Sequence, residues 1–153
     1  MLKKSLSILF LSLTLILNSS AFAAAPAKQV KPIEYSNVSS IEIVNKPTAY
    51  INKYVEIKAV FNKFSTIGLD YKPAMRSSKD YISFLIKRDN IPEHIVPLSE
   101  LKIFIKRDKA EKLVDLETGD KIEIKGKVFS NALGDAWMDA YEVKNLEQKP
   151  PKK

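Results

Sequence analysis

The chain contains no cysteine. Disulfides, thiolate nucleophiles and cysteine-based metal sites are therefore excluded. So is a lipid anchor, which needs a cysteine directly after a signal cleavage site. Histidine is nearly as scarce: His94 is the single one, so a two-histidine metal site cannot be built. A lone imidazole between Pro92 and Pro97 reads as a surface or packed residue rather than a base. The serines have no histidine placed to activate them in a recognisable motif. These gaps leave little material for an enzyme and predict neither catalytic residues nor a cofactor.

A membrane-spanning run is missing as well. Residues 6–17 (LSILFLSLTLIL) form a mostly apolar run of 12 residues, well short of the ~20 that span a bilayer. Lys3 and Lys4 precede it, and Ala21-Phe22-Ala23 follows in the small-x-small pattern a signal peptidase reads. The expectation is a signal peptide over 1–23, cut after Ala23. The product would be periplasmic or secreted, with no stable membrane anchor.

Glycine is sparse too, at four residues, and two of them lie in GDKIEIKGKVF, residues 119–129. The Gly-Lys pair suggests a phosphate-cradling loop, but that loop needs four residues between its glycines and Ser or Thr after the lysine. Here six residues intervene and Val128 follows Lys127. Ile122, Ile124 and Val128 alternate with Lys121, Glu123, Lys125 and Lys127, so the segment is a strand. Gly126 reads as a bulge or sharp bend within it, with Lys127 toward solvent.

What the chain has in excess is positive charge, +7 in all. Removing the signal peptide leaves +5; the leader 24–37 carries +1 and the tail 147–153 carries +2, so residues 38–146 hold only +2. Within that part the charge is uneven. Residues 63–109 are net +4 and residues 110–146 net −3, which gives a modest field across the domain.

Four regions follow. After the signal peptide, 24–37 is small, polar and proline-punctuated, a flexible leader; 147–153 (EQKPPKK) is a disordered basic tail. Between them, 38–146 is one domain. A short helix opens it, with Ser39 and Glu42 as a capping box, Ile41 and Val44 inward, and Pro47 as the stop. Strands are expected at 54–61, 80–88, 101–106, 120–128 and 136–143. A long loop fills 62–79. A helix capped by Asp108, with Ala110, Leu113, Val114 and Leu116 as its inner stripe, ends at Gly119. Five strands with one helix between the third and fourth is the chain order of the OB-fold, a small Greek-key barrel. The fold class is mainly β, a five-stranded OB-fold barrel with that helix and a short N-terminal one; another five-stranded α+β sheet is the rival.

The segments INKYVEIKAVF (51–61) and LETGDKIEIKGKVFSNALGDAWMDAYEV (116–143) resemble the tRNA-anticodon-binding-like OB-fold proteins of bacteria. More distantly the chain is similar to the small periplasmic bacterial OB-fold family. Asn52 to Val55, Gly119-Asp120, Ile122, Ile124 and Gly126 carry the likeness, while Ala59 stands where that pattern has glycine. The resemblance covers 46–146 and implies the fold; it brings no binding residues with it.

Binding is the expected activity. OB-folds offer their second and third strands and the loops after strands one and four to oligomeric ligands. In the first loop the candidates are Lys63, Phe64, Tyr71, Lys72, Arg76 and Lys79. On or beside the strands they are Lys87, Arg88, Lys102, Lys106 and Arg107. Rings interleaved with cations suit an anionic oligomer; alternatively Phe64 and Tyr71 close the barrel mouth and the lysines solubilise the surface. Asp135 and Asp139, flanking Trp137, are the only acids whose spacing raises a cation site; as turn and strand-edge acids they read as solvated. The expected partner is a protein or an anionic oligomer. A single-stranded nucleic acid bound on the 63–107 face is the second choice, since nucleic acid is scarce outside the cytoplasm.

Overall fold

A computed structural model describes residues 32–94 and 96–147. The signal peptide, most of the leader and all of the tail except Glu147 lie outside the described residues. Alternation of side chains sets the architecture. In β5 (Lys121–Ser130), Ile122, Ile124 and Val128 are fully buried while their neighbours face outward. Val55, Ile57, Ala59 and Phe61 do the same in β2 (Tyr54–Ser65), as expected of period-two strands. β3 (Tyr81–Ile86) and β4 (Leu101–Lys106) contribute Phe84, Ile86, Leu101, Ile103 and Ile105 to the same interior. The last strand is β6 (Ala136–Asn145).

The strands run in the order β2-β3-β4-β6-β5, and β5 pairs back onto β2, so the sheet closes. All the barrel pairings are antiparallel except β4 with β6, which run parallel from Leu101 opposite Ala136. That circular order, with its one parallel pair, is the OB-fold.

Closure needs one strand to serve two neighbours, and β2 does so. Its first part, from Tyr54 to Val60, pairs with β5; its last part, from Phe61 to Ser65, pairs with β3. A bulge between Phe61 and Lys63 makes the change of direction. Ala59 thus needs no glycine, because the bend lies further along. The bulge is held by the turn before β5. Gly119 N–H donates to Phe61 O at 2.9 Å, Phe61 N–H to Asp120 O at 2.8 Å, and Thr118 Oγ1 to Asn62 O at 2.5 Å. Asp120, itself buried, accepts the Glu117 N–H at 2.9 Å.

Gly126 is the second bend. It faces Ala140 across a register shift in the β5–β6 ladder. A Cβ there would lie 2.1 Å from the Asp139 carbonyl oxygen and 2.6 Å from Met138 Cε. Only glycine lets the two backbones approach this closely.

Several local expectations need correction. α1 (Ser40–Asn45) is capped by Ser39, whose Oγ accepts the Glu42 N–H at 3.1 Å, but the Glu42 carboxylate takes the Tyr50 hydroxyl instead of closing the box. Ile41 and Val44 pack against the core as expected but are only half-buried, while Ser40 and Ile43 are the fully buried residues of this helix. α2 (Pro47–Tyr50) begins on Pro47 at its first turn. The helix after β4 starts at Arg107, not after Asp108: α3 (Arg107–Ala110) tightens into a 3₁₀ turn over Glu111–Leu113. The tighter winding changes the period from 3.6 to 3.0, so Ala110, Leu113 and Leu116 turn inward and Val114 is 71% exposed. Gly119 then belongs to the turn that enters β5. At the other end, the leader stops being free before residue 37. β1 (Ser36–Asn37) adds in parallel to β2 opposite Val55 and Glu56, and Tyr35 packs edge-on against Tyr54 at 5.8 Å. No helix among the described residues is long and apolar enough to cross a membrane.

Gly126→Ala is expected to destabilise the barrel by about 3 kcal/mol through overpacking against the β6 backbone. Urea unfolding checks this, as a lower midpoint at an unchanged slope.

Candidate functional site

The long loop after β2, residues 66–80, does not stand away from the barrel. It lies on the outer face of β4 and β6, where Phe104 and Trp137 point away from the interior yet are almost fully buried. Gly68, at φ +81°, sits so close to both rings that a Cβ would touch each at 3.0 Å. Tyr71 stacks on Trp137 at 5.4 Å and Phe104 stacks on it at 5.6 Å. The indole N–H donates to Ala132 O at 2.7 Å. Arg76 locks the loop down: its Nε and Nη2 each donate to Asp139 at 2.6 Å, and the guanidinium lies 3.7 Å from the Phe129 ring centre. A bidentate pair of this kind fixes geometry as well as charge. Burial of the large rings supplies most of the energy.

The sheet face that OB-folds usually turn toward ligands is therefore covered by the chain itself. Tyr71 and Arg76 belong to that cover. Phe64 packs at the barrel edge against Phe61 and Phe84 at 5.2 and 6.5 Å. Arg88 is paired with Glu100, Lys102 with Asp135 at 2.8 Å, and Lys87 donates to Pro92 O at 3.1 Å. Lys63 and Lys72 are exposed. Asp135 and Asp139 each hold a basic side chain, Lys102 and Arg76. No cluster of three or more potential metal ligands occurs among the described residues. His94 is exposed in a bend.

Three of the expected residues do converge. Antiparallel register places Tyr81 opposite Lys106, and the chain turns there into α3. Arg107 is fixed by its backbone N–H to Asp80 O and its Nε to Ser78 O, both at 2.9 Å. Lys79, Lys106 and Arg107, with Tyr81, Asp80 and Asp108, line a depression of about 450 Å³. It adjoins a second, of about 240 Å³, that shares Tyr81, Lys106 and Asp108 and reaches across Ala140 to Tyr141. Lys109 lies on its far wall and donates to Tyr141 O at 2.6 Å. Lys109 and Tyr141 in turn border a third depression of about 250 Å³ that includes Lys112. The three depressions share lining residues along α3, and Tyr81 and Tyr141 both line the middle one.

Electrostatics favour an anion here. Lys79, Lys106, Arg107, Lys109 and Lys112 form no ion pair among the described residues. Of the acids, Asp139 is neutralised by Arg76. Burial, and then the Asp139 charge, push the Tyr141 phenol above its ordinary value, so it stays a neutral donor at physiological pH. Tyr81, Lys109, Lys112 and Tyr141 are absent from the sequence-based set. Tyr81 was accessible in principle: with Ile82, Phe84 and Ile86 inward, strand parity turns it outward. The others depend on how α3 sits against β6.

No family model matches the sequence, and no curated protein matches it. Among solved structures, a protein assigned as an aspartyl-tRNA synthetase from Leishmania major Friedlin aligns at TM-score 0.49 and 9% identity, over 83% of this chain and 24% of that one. Asparaginyl-tRNA synthetase from Pyrococcus horikoshii aligns at TM-score 0.49 and 16% identity, over 76% and 24%. OBody AM1L10, solved bound to hen egg-white lysozyme, aligns at 0.44 and 10%, over 66% and 85%. This chain thus spans about a quarter of each synthetase. At such scores no ligand transfers, and the fold rests on the strand order and register above.

Arg76→Ala is expected to cost about 2–3 kcal/mol, because it leaves Asp139 half-buried and unpaired. Trp137 fluorescence reads the loosened loop directly. Hydrogen bonds from Ser78 hold the Asp70 carboxylate below its ordinary value. Its contribution is present above the usual aspartate range, near pH 4, and is lost as pH falls through the lower folded value. Asp70→Asn should therefore flatten the acid limb of the same fluorescence-monitored transition.

Proposed function

We propose that this protein is an exported, non-enzymatic OB-fold binding module that holds an anionic oligomer in the groove around α3. One observation carries the reading: five basic side chains that form no ion pair among the described residues line three neighbouring depressions, with Tyr81 and Tyr141 in the middle one. Clustered unpaired cations raise the local concentration of an anion and draw it in, while the rings add flat contact surface. Export rests on residues 1–23 alone. The strand motifs at 51–61 and 116–143 support kinship with the bacterial anticodon-binding-like OB-fold proteins.

The alternative is single-stranded nucleic acid on the 63–107 face. It is disfavoured because the two rings expected to stack bases are already engaged, Tyr71 on Trp137 and Phe64 against Phe61 and Phe84. Arg76, Arg88 and Lys102 are likewise occupied by Asp139, Glu100 and Asp135.

Titration of labelled anionic oligomers at two salt concentrations tests the proposal. Binding should weaken with salt, and the combined Lys106→Gln and Arg107→Gln change should lower affinity by about tenfold or more and flatten the salt slope. Unchanged affinity in that double variant would overturn the groove as the site.

A further inference from the structure

We infer that the oligomer in this groove is an acidic glycan, a chain of uronate sugars, and not a polynucleotide. The inference rests on the proposed anion-binding groove and asks what its remaining side chains would meet. Two carboxylates stand among the cations. Asp80 follows Lys79 in sequence and Asp108 follows Arg107, and all four line the same depression. Neither acid is in an ion pair with a described residue. The wall therefore offers two cation–acceptor couples, with Lys106 in the same lining.

A phosphodiester backbone fits such a wall poorly. It carries charged acceptors and no donors between the sugars, so any phosphate seated on Lys106 and Arg107 lies beside a carboxylate of its own sign. Nucleotide binding also relies on open ring faces on which bases stack. Here Tyr71, Trp137 and Phe104 are stacked internally, and the Arg76 guanidinium lies 5.6 Å from the centre of Tyr81. Two partly covered rings remain.

A uronate sugar has the opposite pattern. Each residue carries one carboxylate and several hydroxyl donors. The carboxylate pairs with Lys106 or in fork fashion with the free Nη atoms of Arg107. Its hydroxyls donate to Asp80 and Asp108, which satisfies acids that would otherwise repel the ligand. The flat C–H face of a pyranose packs on Tyr81 or Tyr141, and the neutral Tyr141 hydroxyl donates to a ring or carboxylate oxygen. Lys109 and Lys112 continue the cationic line into the adjoining depressions, so the site suits a chain of sugars in place of a single one.

Asp108 supplies the discriminating variant, because it is exposed and its loss leaves the core intact. Calorimetric titration of the purified chain would use an oligogalacturonate, its methyl-esterified counterpart and an oligothymidylate of similar charge. The oligogalacturonate should bind about tenfold or more tighter than either. Asp108→Asn should weaken oligogalacturonate binding and tighten oligothymidylate binding, while Tyr81→Ala weakens the former. Tighter binding of the oligothymidylate, or an Asp108→Asn change that tightens both, overturns the glycan assignment and leaves the anionic groove standing. Absence of binding by both anions at low salt overturns the groove itself.

Discussion

Everything in this fold depends on one irregularity, the bulge between Phe61 and Lys63 in β2. A straight strand of that length would carry its second half away from β3. The bulge turns it, so one strand pairs with β5 before the bend and with β3 after it, and the sheet closes, with β1 added on the outer edge of β2. Closure then gathers Ile57, Ile103, Ile105, Ile122 and Ile124 into one dry interior. The hydrogen bonds from Thr118 and Gly119 and to Asp120 hold the bend from the opposite side. A tight turn before β5 is thus part of the closure as well as a connection.

Closure also creates the outer surface on which the loop 66–80 rests. Phe104 and Trp137 point outward by strand parity, and two large rings exposed to water would be costly. The loop covers them with Tyr71 and the backbone at Gly68, and Arg76 fastens it to Asp139. In exchange the molecule gives up its usual ligand face. What remains without an ion pair is charge at the start of β3 and the end of β4. There the antiparallel register brings Lys106 beside Tyr81, and α3 adds Arg107 and Lys109. The basic side chains left without an ion pair among the described residues thus lie at the rim of the sheet and not on its covered face.

Much of this was legible in the sequence where a local rule decides the outcome. Period-two alternation marked all five barrel strands, and the third, Leu101–Lys106, was marked to the residue; the first was expected to end at 61, but runs on past the bulge to Ser65, where a loop was expected. Gly126 announced a bend and Ser39 a cap. The helix after β4 was read less well. Ala110, Leu113, Val114 and Leu116 suit an α-helical stripe, but the wall of the barrel favours a 3₁₀ turn that leaves Val114 in water. Ile43 was overlooked because a six-residue helix shows too little period to reveal its inner face.

The candidate site divides along the same line. By itself the sequence determined the strands, their inward faces and an excess of cations over 63–109, since each follows from neighbours within a few residues. Which cations remain unpaired was decided only by tertiary structure. Arg76 meets Asp139 63 positions later and Lys102 meets Asp135 33 positions later, separations that no periodicity encodes. Lys79, Lys106 and Arg107 form no ion pair among the described residues, although Asp80 and Asp108 line the same depression. An ion pair is a matter of a few ångströms between distant parts of the chain, and only the folded barrel sets that distance.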